Sequence, residues 1–235
     1  MKVIDLFFPQ STRCVFCGRE DHKYNLCDEC LTSLPFINTR TCIKCGGRVL
    51  PDEVACKDCS IVKHIVDVNY SILDYDEYVK SKIVNFKQNK QRKIGVAFAY
   101  IMKEFFDNLH LDIDVIIPVP IHTNRLKERG FNQSEILASK LGDKVDNHIL
   151  ERIKDTPHQT GLSRKNRREN LVRSFSVVDK SKVKGKNILL VDDIYTTGST
   201  LDECARTLYK CGAKSVQSLC LARGLVYPRY LFKNN

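Results

Sequence analysis

Apolar and polar residues alternate from Val66 through Val68 and Tyr70 to Ile72, with Asp67, Asn69 and Ser71 between them, which predicts a half-buried β-strand. The period then lengthens. Val79, Ile83 and Phe86 keep helical spacing, as do Ile94, Phe98, Ile101 and Phe105. Between these helices lies a basic polar patch, Lys87 to Lys93, readable as a loop or as an exposed helix start. Asp114 to Pro120 is a short apolar run closed by two prolines and predicts a buried strand, and a helix follows from about Gln133 to Leu141. Ile188 to Val191 predict another buried strand. Beyond it, Leu201, Cys204, Ala205 and Leu208 repeat at i, i+3, i+4, i+7 in a helix that ends near Gly212, and Val216 to Leu221 form a further strand. Strands alternating with helices, with no hairpin dipeptide between them, predict an α/β domain with a mainly parallel sheet flanked by helices. Ligands in such sheets bind beyond the carboxyl ends of the strands. Both Pro118-Val119-Pro120 and the acids that follow Val191 fall on that edge.

The first 60 or so residues lack this periodicity and hold few large apolar groups, so we place a boundary near residue 62, between a small unit at 1–62 and the α/β domain at 63–235. Cysteines take the place of a core there. Eight of the chain's 11 form Cys-x-x-Cys pairs: Cys14/Cys17, Cys27/Cys30, Cys42/Cys45 and Cys56/Cys59. This spacing aims two sulfurs at one ion from a tight turn, and two pairs complete a tetrahedral tetrathiolate site that suits Zn2+. Gly18 and Gly46-Gly47 follow two of the pairs, where such turns need a positive φ. Sequential pairing is the simplest arrangement; a cross-brace, first pair with third and second with fourth, also satisfies the spacing. Sites saturated with thiolates leave no position for water, so both are read as structural. Disulfides or an iron–sulfur cluster fit the pattern less well. His22 and His64 are expected to be spare surface histidines, and Cys204, Cys211 and Cys220 buried apolar thiols.

Composition narrows the class. A hydrophobic content of 43% suits a sizeable core, and no apolar run approaches the roughly 18 residues of a membrane span. Met1 to Pro9 carries an acid within a very short apolar stretch, which makes a poor signal peptide. Metal-spaced cysteines without an export signal favour a reducing cytoplasm. The net charge of +10 is uneven. Residues 1–67 balance nine basic against nine acidic side chains, while the remainder holds 29 and 19. A basic α/β domain suits a polyphosphate substrate, a nucleic-acid partner, or both.

Residues 188–200, ILLVDDIYTTGST, carry the sharpest chemistry. A strand ends at Asp192 and Asp193, and the turn Thr196-Thr197-Gly198-Ser199-Thr200 opens a helix. Free N–H groups and the positive end of the helix dipole attract a phosphate there. Gly198 permits close backbone approach, and the hydroxyls can donate to phosphate oxygens. The acids one step earlier can accept hydrogen bonds from sugar hydroxyls. An ordinary helix cap would need one hydroxyl residue, not two acids and four hydroxyls.

This segment resembles the phosphoribosyl-pyrophosphate (PRPP) motif of type I phosphoribosyltransferases, in which two acids hold the ribose 2- and 3-hydroxyls and the Thr/Gly turn cradles the 5-phosphate. Arg129-Gly130-Phe131-Asn132-Gln133 matches the RGFNQ signature of the ComF family, which joins a zinc-binding N-terminus to such a domain. The cysteine pattern likewise resembles a double zinc ribbon. The resemblance implies a pyrophosphate loop at Val119, Pro120, Arg125 and Arg129, acting through backbone N–H groups with positive charge close by. It also implies a mobile hood loop within 152–175 that includes Gln159, Arg164 and Arg167. Residues 151–173 hold seven basic and three acidic side chains, which suits closure over a pyrophosphate leaving group.

As an enzyme, such a chain would be a glycosyltransferase acting on PRPP with Mg2+, with Asp192 and Asp193 in the catalytic role; no residue identifies the acceptor. The family resemblance implies a part in natural transformation, in DNA uptake and the cytoplasmic handling of single-stranded DNA, at a site peripheral to the inner face of the membrane. Single-stranded DNA and DNA-uptake proteins are then candidate partners beside PRPP. One alternative is a non-catalytic competence factor in which zinc ribbons and basic loops bind single strands or the transport machinery; Phe131 and Phe175, beside basic residues, could stack bases there, although such rings are more often core or loop anchors. Another is a salvage or biosynthetic transferase; a glutaminase variant is disfavoured because Cys14 belongs to a metal pair.

Overall fold

The computed structural model describes residues 13–20, 23–155 and 171–225. Two one-turn helices, α1 (Asp28–Thr32) and α2 (Lys57–Ile61), belong to the cysteine-rich part. The order then runs β1 (Asn69–Asp74), α3 (Glu77–Lys87), α4 (Arg92–Leu109), β2 (Val115–Pro118), α5 (Thr123–Arg129), α6 (Gln133–Ala138), β3 (Leu150–Arg152), β4 (Phe175–Val177), β5 (Asn187–Tyr195), α7 (Ser199–Lys210) and β6 (Ser215–Arg223). Four strands form one sheet in the order β1-β6-β5-β2, every neighbouring pair parallel. The predicted parallel α/β architecture is therefore present.

Several elements differ from their predicted form. β1 begins three residues later than the alternating pattern and is nearly all buried, because helices cover its faces and the cysteine-rich segment covers its edge. Ile37 donates its N–H to the Ile72 carbonyl (2.8 Å) and Asp74 to that of Pro35 (2.9 Å), so the exposed edge of the sheet is closed. The basic patch is divided: Lys87 closes α3, residues 88–91 form the connection, and Arg92 and Lys93 are the exposed start of α4. The helix after Asn132 stops at Ala138, short of Leu141. Both α5 and the antiparallel pair β3-β4 escaped the periodicity, being too short to establish one. The pair stands at the base of the candidate hood segment; Gln159, Arg164 and Arg167 lie outside the described residues.

The sheet separates two apolar clusters. On one face Leu189 and Val191 of β5 meet Val79, Ile83 and Phe86 of α3, and Ile94, Phe98 and Ile101 of α4. On the other, Ile188 and Leu190 meet Leu201, Cys204, Ala205 and Leu208 of α7. Each cluster also takes in one half of the cysteine-rich segment. Cys14, Leu26, Cys27, Cys30 and Leu34 join the first; Cys42, Cys45, Val49 and Cys56 join the second. A buried ion pair, Arg48 Nε to Asp74 Oδ2 at 2.8 Å, fastens the second half to the end of β1. The unit before residue 62 thus shares its core with the α/β domain.

Candidate functional site

Each cysteine half is built alike. One pair sits in a tight turn, closed by bridges between Arg13 and Glu20 or Thr41 and Arg48. The other opens a one-turn helix, with Cys27 or Cys56 as its N-cap. Gly46 adopts φ +66°, and a Cβ there would lie 2.6 Å from the Asn69 carbonyl, so only glycine lets the turn press against the start of β1. The sulfurs of Cys14, Cys17, Cys27 and Cys30 lie within 4.8 Å of one another, and so do those of Cys42, Cys45, Cys56 and Cys59. Sequential pairing therefore holds and the cross-brace does not. The Cys17–Cys27 and Cys45–Cys56 sulfur separations are 3.6 and 3.7 Å. A tetrahedron with metal–sulfur bonds of about 2.3 Å has edges of about 3.8 Å, so both clusters fit a tetrathiolate zinc site. Hydrogen bonds from the Arg19 backbone and guanidinium pull the Cys17 thiol down to about 6, toward the thiolate a metal requires.

The second constellation lies at the carboxyl edge of the sheet. β5 runs past the predicted end at Val191, so Asp192 and Asp193 lie inside the strand, beyond the end of its neighbour β2, where Pro118 pairs with Val191. Gly198, at φ +74°, precedes α7, and a Cβ there would lie 2.3 Å from Tyr195 Oη. The turn is thus compressed against the strand it leaves. Thr197 Oγ1 lies 2.9 Å from Ser199 Oγ, and Thr196 is exposed, so hydroxyls border the first turn of a 12-residue helix.

The carboxylates are less open than the motif implies, at 8% exposure for Asp192 and 5% for Asp193. Asp192 accepts from Ser134 Oγ at 3.1 Å and from the Asp193 N–H at 2.9 Å. Asp193 is ion-paired with Lys87. Burial, and then the neighbouring Asp193 charge, push Asp192 up to about 7. Lys87 and Ser134 are site residues that sequence reading missed: their spacing to the motif is visible only once α3 and α6 pack beside β5.

The RGFNQ segment organises this edge. Asn132 caps α6 by accepting from the Ser134 N–H (3.0 Å) and donates to the Val119 carbonyl (3.2 Å). Phe131 is buried and stacks on Phe86 with ring centroids 5.4 Å apart; Phe175 is buried as well. Neither ring is available to stack a base. Arg129 is half-buried and bonds Gln133. Burial holds the Arg129 and Arg152 guanidinium groups below their ordinary range; Arg125 lies close enough to both to act in the same direction, while Asp193 and Asp192 oppose it at Arg129 and Asp192 at Arg152. Arg152 is a further residue that the candidate set lacked. Val119 donates its N–H to Val191 (2.9 Å) and proline has no N–H, so neither Val119 nor Pro120 can offer a backbone donor to pyrophosphate.

Two expectations about single residues change. His64 is not a spare surface histidine: its side chain is 5% exposed and Nδ1 lies 2.9 Å from Asp202 Oδ2. Cys204 and Cys220 are fully buried as expected, whereas Cys211 is only half-buried. Among the described residues no helix is long and apolar enough to cross a membrane.

A parallel α/β domain with an acid pair and a hydroxyl-rich helix start at its carboxyl edge, joined to two tetrathiolate sites, defines a phosphoribosyltransferase-type protein with a double zinc ribbon. Comparison with known families agrees: residues 85–229 match the phosphoribosyl transferase domain and residues 3–60 the double zinc ribbon domain. Competence protein F of Haemophilus influenzae is 34% identical over 90% of this chain and 96% of its own length. Competence protein ComFC of Bacillus subtilis is 32% identical over 90% and 88%, and the DNA utilization protein YhgH of Salmonella typhimurium 31% over 78% and 84%. The chain belongs to the ComF family.

Proposed function

We propose that this protein binds PRPP at the carboxyl edge of β5 and serves natural transformation, handling incoming single-stranded DNA on the cytoplasmic side. The observation that carries the first part is the compressed Gly198 turn, which opens a 12-residue helix beside two carboxylates. The second part is supported by the names of the relatives, two competence proteins and a DNA utilization protein, which align along most of the chain.

In this reading the turn from Thr196 to Thr200 grips the 5-phosphate through N–H and hydroxyl donors. Asp192 and Asp193 orient the ribose. Because Asp193 already pairs with Lys87, the sugar enters as the ammonium swings away from it. That places Lys87 beside the incoming ligand, where a cation can meet the pyrophosphate. Arg125, Arg129 and Arg152 supply further positive charge to the leaving anion, and the carboxylates stabilise the positive charge that develops on the ring. Mg2+ bound with the substrate would neutralise part of the pyrophosphate charge. The backbone donors of the pyrophosphate loop lie after Pro120. A transferase fold can also serve as a binding module, so ligand binding and turnover are separate properties of this site.

Calorimetry with PRPP and Mg2+ tests the pocket. The wild type is expected to bind and the Asp192→Ala/Asp193→Ala protein to lose binding; absence of heat with the wild type would remove the reading. Pyrophosphate release in a screen of base, amine and nucleic-acid acceptors tests turnover.

A further inference from the structure

Arg223, the last residue of β6, is 4% exposed and lies between the two constellations. Its Nη2 donates to Cys45 Sγ at 3.4 Å. Its Nη1 donates to the backbone carbonyls of Thr196 (3.1 Å) and Gly224 (2.7 Å) and lies 3.4 Å from that of Tyr195. The guanidinium also covers the Tyr195 ring at 4.8 Å. One side chain therefore joins a ligand sulfur of the second cysteine centre to the backbone that forms the phosphate turn.

A separate link runs in parallel. The connection leaving Cys59 brings Ile65 and Val66 to donate their N–H groups to Asp202 Oδ1 at 2.7 and 3.2 Å, while His64 meets Oδ2. Asp202 stands in the first turn of α7 and donates its own N–H to the Gly198 carbonyl at 2.8 Å. The first cysteine centre packs on the opposite face, against α3 and α4.

From this asymmetry we infer that the second cysteine centre, Cys42, Cys45, Cys56 and Cys59, positions the phosphate turn through Arg223, so that metal in that centre and a 5-phosphorylated ligand in the turn stabilise each other. The ligand half rests on the PRPP reading; the coupling itself does not. A zinc tetrathiolate carries net negative charge, and a charged N–H···S bond to it compensates the buried guanidinium. Without metal the four sulfurs are no longer held around one point, and Cys45 Sγ is no longer fixed against the guanidinium. Arg223 then turns toward other partners and releases the Tyr195 and Thr196 carbonyls. Reciprocity of linkage requires the ligand to tighten the metal in the same measure. Arg223 is a positioning residue.

Hydrogen exchange on the full-length, metal-loaded protein tests this. As a chelator removes metal stepwise, amides at 195–201 are expected to exchange at least tenfold faster in step with peptides at 42–59, and independently of those at 14–30. Arg223→Met, with both metals retained, is expected to loosen the same turn and weaken PRPP about tenfold, and Arg223→Lys to recover part of both. In the Co2+-substituted wild type, PRPP is expected to shift the thiolate-to-cobalt absorption, with no shift in Arg223→Met. Turn amides that stay protected after 42–59 has lost its metal overturn the coupling, whether or not PRPP binds. Failure of PRPP to bind, with the exchange result intact, removes only the ligand half.

Discussion

Gly198 is held at a positive φ, and the buried Tyr195 ring and His64 crowd the space a side chain would occupy, so an added methyl meets backbone strain as well as packed neighbours. Gly198→Ala is expected to cost about 1–3 kcal/mol in urea unfolding and to abolish PRPP binding by calorimetry. Asp192 makes a pH-dependent prediction. The native protein keeps its proton up to about 7, whereas the unfolded chain releases it near the ordinary value of 3.8. Stability contributed by this group is complete below the lower value and falls as pH rises toward the higher, by at most about 1.4 kcal/mol per pH unit. Asp192→Asn removes that slope, so its advantage over the wild type in urea midpoint grows from pH 5 to pH 7 and then levels. Lys87→Met leaves Asp193 with an unpaired charge; because Lys87 is 22% exposed, the loss is expected to be smaller than the roughly 3–5 kcal/mol of a fully buried pair.

At the scale of elements, the ribbons do work that a separate domain would not. The 34–37 segment closes the β1 edge, Arg48 locks onto Asp74, and each ribbon supplies apolar residues to one face of the sheet. A chain truncated to residues 63–235 would expose that edge and the matching parts of both clusters. It is expected to aggregate when expressed alone, as measured by light scattering, and the full chain to do so when a chelator strips both metals. A truncated protein that remains monomeric with an unchanged melting temperature would contradict this.

Over the whole molecule, charge is distributed as the substrate reading requires. The cysteine-rich part is formally neutral before its thiolates are counted, and the excess of basic residues lies in the α/β domain, where Arg125, Arg129 and Arg152 gather at the carboxyl edge. Single-stranded DNA affinity is expected to fall with salt at a log–log slope of about −0.7 per phosphate neutralised, and a flat response would argue against phosphate contacts. With Phe131 and Phe175 buried in the two clusters, that binding has to rest on charge rather than on these rings.

The sequence by itself determined the parallel α/β class, the eight clustered cysteines and the hydroxyl-rich turn that opens a helix after the acid pair. Each is written in local spacing: period two or 3.6 for elements, Cys-x-x-Cys for two ligands on one ion, two acids before a Thr/Gly turn for a strand-to-helix site. What only the tertiary structure decided depends on residues far apart in the chain. It chose sequential pairing over the cross-brace, set Lys87 against Asp193 and Ser134 against Asp192, buried the two phenylalanines, and brought Arg223 between Cys45 and Thr196. No local period encodes such meetings; they follow from which strand lies beside which, and from burial that obliges every enclosed charge to find a partner.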